Sequence, residues 1–173
     1  MTEHTDEICR HRWMALCRGL NGEPFIRETG GGVFIVPLTD RDDVLFIIEP
    51  AVTDGTPVLW LPAGAMEPGE DPVDAANREL QEEIGYKAAR LDLLSELRPL
   101  ARHADWRVHA VLARELAPSR LPGDESHPIE VESVPLSQFE RLIDAGRLLD
   151  ATCIAAVFLA RRFLANERKG EPG

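Results

Sequence analysis

Residues 64–86 read GAMEPGEDPVDAANRELQEEIGY, a loop rich in glycine and proline that runs into a helix. Gly64, Pro68, Gly69 and Pro72 interrupt any regular period and require a compact turn. Asp71 suits an N-cap, Pro72 the first helical position and Asp74 the positive end of the helix dipole, while Gly85 can take the left-handed conformation that ends a helix. A helix is therefore predicted over residues 72–84.

At about 100° per residue, Val73, Ala76, Leu80 and Ile84 form an apolar stripe, and Glu79, Glu82 and Glu83 form a second stripe beside it. Like charges at spacings of three and four repel by about 0.2–0.5 kcal/mol per pair, and no lysine is interleaved to relieve them. One reading is a solvated acidic face, in keeping with an acidic chain. The other is a seat for a hard divalent cation, which takes oxygen ligands and cancels the repulsion. The glycine loop directly before the helix favours the second.

The stretch resembles the signature of the Nudix hydrolases, G-x5-E-x7-R-E-U-x-E-E-x-G-U, with U a bulky aliphatic residue. Gly64, Glu70, Arg78, Glu79, Leu80, Glu82, Glu83 and Gly85 all agree with it, and Tyr86 in the last U slot is the one departure. So many fixed positions at fixed spacing make a far more specific signal than a short glycine motif.

Composition narrows the rest. A chain of 173 residues fits one domain with a sizeable core. With 30 acidic against 19 basic residues and a net charge of −11, no basic surface is expected for a nucleic-acid polymer or an anionic membrane. A small anionic substrate remains compatible if a metal screens it. Cys9, Cys17 and Cys153 lack metal-ligand spacing and are expected as buried, reduced thiols of a cytoplasmic protein. The N-terminus lacks the apolar core of a signal peptide, and the longest apolar run, residues 151–160, is too short to span a bilayer.

Along the chain, residues 1–12 read as polar and loose. A hairpin with Asn-Gly turn chemistry is expected within residues 13–27, and Gly30, Gly31 and Gly32 mark a hinge or a close backbone approach. Strands are expected at 33–38 and 44–49, paired with one another, then at 58–61, leading into the bend at Gly64. Residues 91–97 have β-like or amphipathic character, and strands follow at 107–115 and 130–136. Ser137 is taken as the N-cap of a helix ending near Gly146, and a second helix covers 151–167, with Ile154, Val157, Phe158 and Leu164 toward the sheet. The order implies an α+β fold. It agrees with what the resemblance implies, the Nudix fold, a mixed β-sheet sandwiched between α-helices (an α/β/α sandwich). Residues 1–173 are read as one domain, with an N-terminal strand segment (1–30), a core (31–136) and C-terminal helices (137–173).

The resemblance also implies the chemistry. Glu79 and Glu83, with Glu82 as a third or water-mediated ligand, and the backbone at Ala63 or Gly64 would hold Mg²⁺ or Mn²⁺. Glu70 and Arg78 would tie the loop to the helix. Members of the family take their general base either from a signature Glu or from an acid in a loop after the sheet; the loop at residues 123–127 resembles an acidic segment of ADP-ribose pyrophosphatases, so Glu125 is the first candidate and Asp124 the second, with a solvated loop acid the competing reading. Leu61-Pro62-Ala63-Gly64 resembles the lead-in of the same branch, and the C-terminal half resembles bacterial ADP-compounds hydrolases. A proline expected past the signature in ADP-ribose pyrophosphatases is not at its place, since Pro99 comes early and position 101 is Ala. The expected reaction is hydrolysis of the pyrophosphate in a nucleoside diphosphate linked to another moiety, with ADP-ribose first. A non-catalytic metabolite-binding domain of the same fold is the alternative, and the self-repelling glutamates count against it.

For the substrate, Trp106 is the better stacking candidate, Trp60 reads as core, and Arg27, Arg102 and Arg107 are the candidate phosphate ligands. By analogy with the ADP-ribose branch, residues 13–29 are expected to exchange between subunits of a homodimer.

Overall fold

The structure, a computed structural model, describes residues 6–123 and 129–170. In chain order its elements are β1 (Asp6–His11), β2 (Met14–Arg18), β3 (Pro24–Glu28), β4 (Gly32–Pro37), β5 (Asp43–Pro50), β6 (Pro57–Trp60), β7 (Ala63–Ala65), α1 (Pro72–Glu83), β8 (Tyr86–Leu97), β9 (Ala104–Asp105), β10 (Val108–Pro118), β11 (Glu130–Pro135), α2 (Glu140–Asp144) and α3 (Ala151–Lys169).

The layers follow from alternation along β4 and β10. Every residue of β4 is buried, as a strand covered on both faces must be. Val33 and Ile35, with Val111 and Ala113 of β10, join Ala75, Ala76, Leu80 and Ile84 beneath α1. Phe34 and Val36, with Val108, Ala110 and Leu112, pack against Cys153, Ala156, Val157, Ala160 and Leu164 of α3. The central sheet runs β7-β4-β10-β8, with β4 parallel to β10 and the other pairs antiparallel. One helix covers each of its faces, which is the expected α/β/α arrangement.

The two flanking sheets account for most departures from the sequence reading. The strands expected at 33–38 and 44–49 do form, but they are not partners; beyond an isolated bridge between Leu38 and Val44, β5 pairs with β11 and β6 in the order β11-β5-β6. Two adjacent apolar strands satisfy a local pattern equally well as a hairpin or as members of different sheets, and the β4 ladder positions are filled by β10 and β7. In the N-terminal sheet, β1-β2-β3-β9, residues 6–11 form an edge strand where a loose segment was expected. Every β1 residue is exposed, so hydrogen bonding to β2 orders it, with no apolar burial to write that order into the sequence. The hairpin expected within 13–27 is β2 with β3, turned through Leu20–Gly22.

At the C-terminal end, Ser137 lies inside a 3₁₀ turn, Leu136–Gln138, and caps nothing; α2 begins only at Glu140 without a side-chain cap. Phe158 turns from the sheet, half-exposed, and packs edge-on against Phe139 with ring centroids 4.9 Å apart. Asp150 caps α3 by accepting the Cys153 N–H at 2.8 Å. Arg114 of β10 pairs with Asp92 of β8 and with Glu167, clamping the last turn of α3 to the sheet. Cys17 and Cys153 are buried as expected, whereas Cys9, on the exposed edge strand, is not. Burial pushes the Cys153 thiol well above the usual range, which keeps it an un-ionised packing group. No helix among the described residues is long and apolar enough to cross a membrane.

Candidate active site

The site is built where β7 meets α1. Asp71 accepts the Val73 N–H at 2.8 Å and Pro72 opens the first turn, so α1 starts where the sequence places it. Its far end is set by Gly85, at φ 73, a conformation that strains any residue with a side chain. Between these stops the apolar face, carried by Ala75, Ala76 and Leu80, anchors α1 to the sheet and turns Glu79 and Glu83 toward β7, with Glu82 beside Arg78.

Gly64 is required by contact. It pairs with Val33 of β4, and a Cβ on it would land on the carboxylate of Glu79. The glutamate lies directly on bare backbone, and only glycine leaves that room. One residue earlier, the Ala63 N–H donates to Glu83 Oε2 at 3.1 Å. Glu83 is buried, which counts against the reading of the stripe as a solvated acidic face.

Arg78 ties these parts together. Its Nε and Nη2 both donate to the Glu70 carboxylate at 3.0 Å, and Nη2 also donates to the Ala65 carbonyl at 3.0 Å. Nη1 lies between Glu79 Oε1, at 2.7 Å, and Glu82 Oε2, at 3.1 Å. Glu70 in turn accepts the Glu67 N–H at 2.8 Å, so the loop is stitched to the helix through one bidentate pair. The pair holds the Glu70 carboxyl below its ordinary range and pushes the Arg78 guanidinium above its own.

Among the described residues, no group of three His, Cys, Asp or Glu side chains is already gathered as a metal centre. The donor set nonetheless fits a hard divalent ion: carboxylates and backbone carbonyls, all oxygen. The Arg78 nitrogen marks the place where Glu79 and Glu82 already converge on one positive charge.

Beside this seat opens a cavity of about 380 Å³, lined by Trp13, Glu28, Phe34, Trp60 and Trp106 and floored by Ala63, Gly64 and Ala65. Phe34 and Trp60 stack at a tilt, with centroids 5.5 Å apart. Glu28 ends β3 at the cavity wall, and burial raises its carboxyl above the usual range. The sequence reading passed over Glu28; the one signal it offered was an acid at the end of a short strand just before the triple glycine. A larger groove, about 620 Å³, lies between β6 and the turn before α3, but its two charged groups are already engaged, Arg147 with Glu132 and Asp150 with the Cys153 N–H.

Of the substrate residues expected from sequence, Trp106 lines the cavity. Arg27 lies over the Phe25 ring at 5.4 Å in the N-terminal sheet. Arg102 is exposed in the turn before β9. Arg107 is exposed and 3.7 Å from Glu96, while its carbonyl accepts the Gly32 N–H at 3.1 Å. Asp124 and Glu125 lie outside the described residues.

Residues 28–157 match the NUDIX domain. The chain is 34% identical over 135 residues to the ADP compounds hydrolase NudE of Escherichia coli (strain K12), covering 78% of this chain and 72% of that protein. It is 30% identical over 142 residues to the ADP-ribose pyrophosphatase of Bacillus subtilis (strain 168), covering 79% of this chain and 77% of that protein. A crystal structure of an ADP compounds hydrolase superposes with a TM-score of 0.80 at 30% identity, over 95% of this chain and 94% of the other. Hydrolases of this family generally need a divalent cation. A glycine that makes way for a glutamate, an arginine that ties the loop to the helix, and a three-layer fold shared with these relatives have one explanation: the chain belongs to the Nudix hydrolase family.

Proposed function

We propose that this protein hydrolyses the pyrophosphate bond of an ADP-linked compound, ADP-ribose first, using Mg²⁺ or Mn²⁺ held by Glu79, Glu82 and Glu83 with the backbone at Ala63 or Gly64. One observation carries the reading: Ala63 and Gly64 belong at once to the seat of the glutamates and to the floor of the aromatic cavity. A nucleoside stacked among Trp13, Trp60 and Trp106 would have its diphosphate directly over the carboxylates. The curated relatives act on the same class of compound by name.

The bound cation would screen phosphoryl oxygens and make water acidic enough to attack near neutral pH. The room that Gly64 leaves for Glu79 and the Ala63 N–H bonded to Glu83 support that role for the two carboxylates. Arg78 and Glu70 hold the loop against the helix, so their part is orientation of the carboxylates. Glu125, with Asp124 as second choice, is proposed to take the proton from the attacking water; Gly123, two residues before it, packs on the Glu82 carbonyl. Cleavage of ADP-ribose by water yields AMP and ribose 5-phosphate. The two are resolved by chromatography after incubation with Mg²⁺, and an unchanged substrate peak across ADP-ribose, NADH and diadenosine triphosphate would refute the proposal.

The active form is proposed to be a homodimer built through the N-terminal sheet. Ile8, Trp13, Met14, Leu16 and Leu20 leave much of their apolar surface in water there, an arrangement a second copy would cover.

A further inference from the structure

The segment after β10 is fastened to the C-terminal end of α1. The Ser119 N–H donates to the Gly85 carbonyl at 2.9 Å and the Leu121 N–H to the Gln81 carbonyl at 3.2 Å. Ser119 Oγ donates to Gln81 Oε1 at 2.9 Å, and a Cβ on Gly123 would stand 3.3 Å from the Glu82 carbonyl. Three hydrogen bonds and one close approach therefore hold Arg120 in place against the helix that carries the acids.

The guanidinium of Arg120 lies over Gly85, where an added Cβ would stand 3.0 Å from both its Nε and its Nη2. Gly85 follows the last turn of α1, which carries Glu82 and Glu83, so Arg120 stands just past the C-terminal end of that helix. Many guanidiniums in this acidic chain are spent on carboxylates, Arg78, Arg90, Arg114, Arg147 and Arg161 among them. Arg120 is exposed, and among the described residues it has no ion-pair partner. A planar fork of donors beyond the helix end that carries Glu82 and Glu83, without an ion-pair partner among the described residues, suits the doubly charged diphosphate of the substrate.

We propose that Arg120 is a substrate-binding arginine, which grips a phosphate of the nucleoside diphosphate from the C-terminal end of α1. It has no counterpart in the arginines expected from sequence, because its place is set by the docking of residues 119–123 on the helix. The inference rests on the pyrophosphohydrolase reading above, since it needs a diphosphate across α1. The competing role is purely electrostatic, a cation compensating the negative end of the helix dipole.

The test compares wild type, Arg120→Gln and Arg120→Lys for KM and kcat on ADP-ribose with saturating Mg²⁺, for the Kd of ADP-ribose by calorimetry, and for Tm without ligand. Loss of a charge-assisted contact predicts KM and Kd raised about tenfold or more in Arg120→Gln, partial recovery in Arg120→Lys, and Tm within about 2 °C of wild type. Unchanged KM and Kd, with or without a lowered Tm, would overturn the proposal and leave only the dipole role. If wild type binds ADP-ribose without cleaving it, the hydrolase reading fails while the Kd comparison still decides the role of Arg120. No binding of ADP-ribose by wild type overturns both.

Discussion

Gly64 and Glu79 form the closest approach at any described glycine, since a β-carbon at position 64 would occupy the space of the carboxylate. Gly64→Ala is expected to lower kcat at least 100-fold while circular dichroism stays native, because the displaced group is a side chain in an open cleft and the Gly64–Val33 pairing needs no glycine. A kcat within threefold of wild type would show that Glu79 does not depend on that bare backbone. Glu83 calls for a different probe, being buried and bonded to the Ala63 N–H. Glu83→Gln keeps an acceptor for that N–H and removes the charge, so turnover should fall by orders of magnitude with a small change in Tm; equal losses of both would make Glu83 structural. Glu70 predicts a pH dependence. Its carboxyl is held below the ordinary value by Arg78, so its contribution to stability is complete above the unfolded value near 4.5 and is lost as pH falls through the lowered folded value. The Tm gap between wild type and Glu70→Gln should thus be constant from pH 8 to 6 and close in acid. A gap that widens in acid would contradict the pairing.

Among the elements, α1 was the most legible because its signals are local. Asp71, Pro72 and Gly85 act on their own turn of backbone, and each is found in the role read for it. Asp71→Ala should cost about 0.5–2 kcal/mol by urea unfolding, with kcat little changed, since the cap lies at the end of α1 away from Glu82 and Glu83. A loss of activity matching the loss of stability would mean that the start of the helix also sets the site. What stayed illegible depends on partners distant in sequence. VFIVPL and VLFIIE look like a hairpin, yet β10 and β11 lay claim to them. β1 has no buried residue by which to announce itself, and the start of α2 is set by a 3₁₀ turn that no capping residue marks. The same limit applies to the site: Glu79, Glu82, Glu83, Glu70 and Arg78 stand together on one short stretch, whereas Glu28 comes to the cavity, and Arg120 to the end of α1, only through the fold.

In the whole molecule, the main core is split between two clusters on the faces of one sheet, and the N-terminal sheet, which buries Ala15 and Cys17, leaves Ile8, Trp13, Met14, Leu16 and Leu20 in water. Its strand β9 is held by a short parallel pairing with β3, beside the Ile26 N–H to His103 carbonyl bond at 2.8 Å, and its Trp13 and Glu28 meet the core across the aromatic cavity. Such a module gains by meeting a second copy, so light scattering should give twice the 19.2 kDa of one chain, and Leu16→Glu should shift the mass toward a single chain. A wild-type mass of one chain would remove the dimer. The central claim is that the glutamates of α1 hold a divalent ion against a diphosphate, and it is tested most directly by titrating Mg²⁺ into ADP-ribose with wild type and Glu83→Gln while following AMP release. The account predicts saturable, Mg²⁺-dependent release by wild type, abolished by EDTA and reduced by orders of magnitude in the variant. Release that is indifferent to EDTA, or equal in the two proteins, would contradict it.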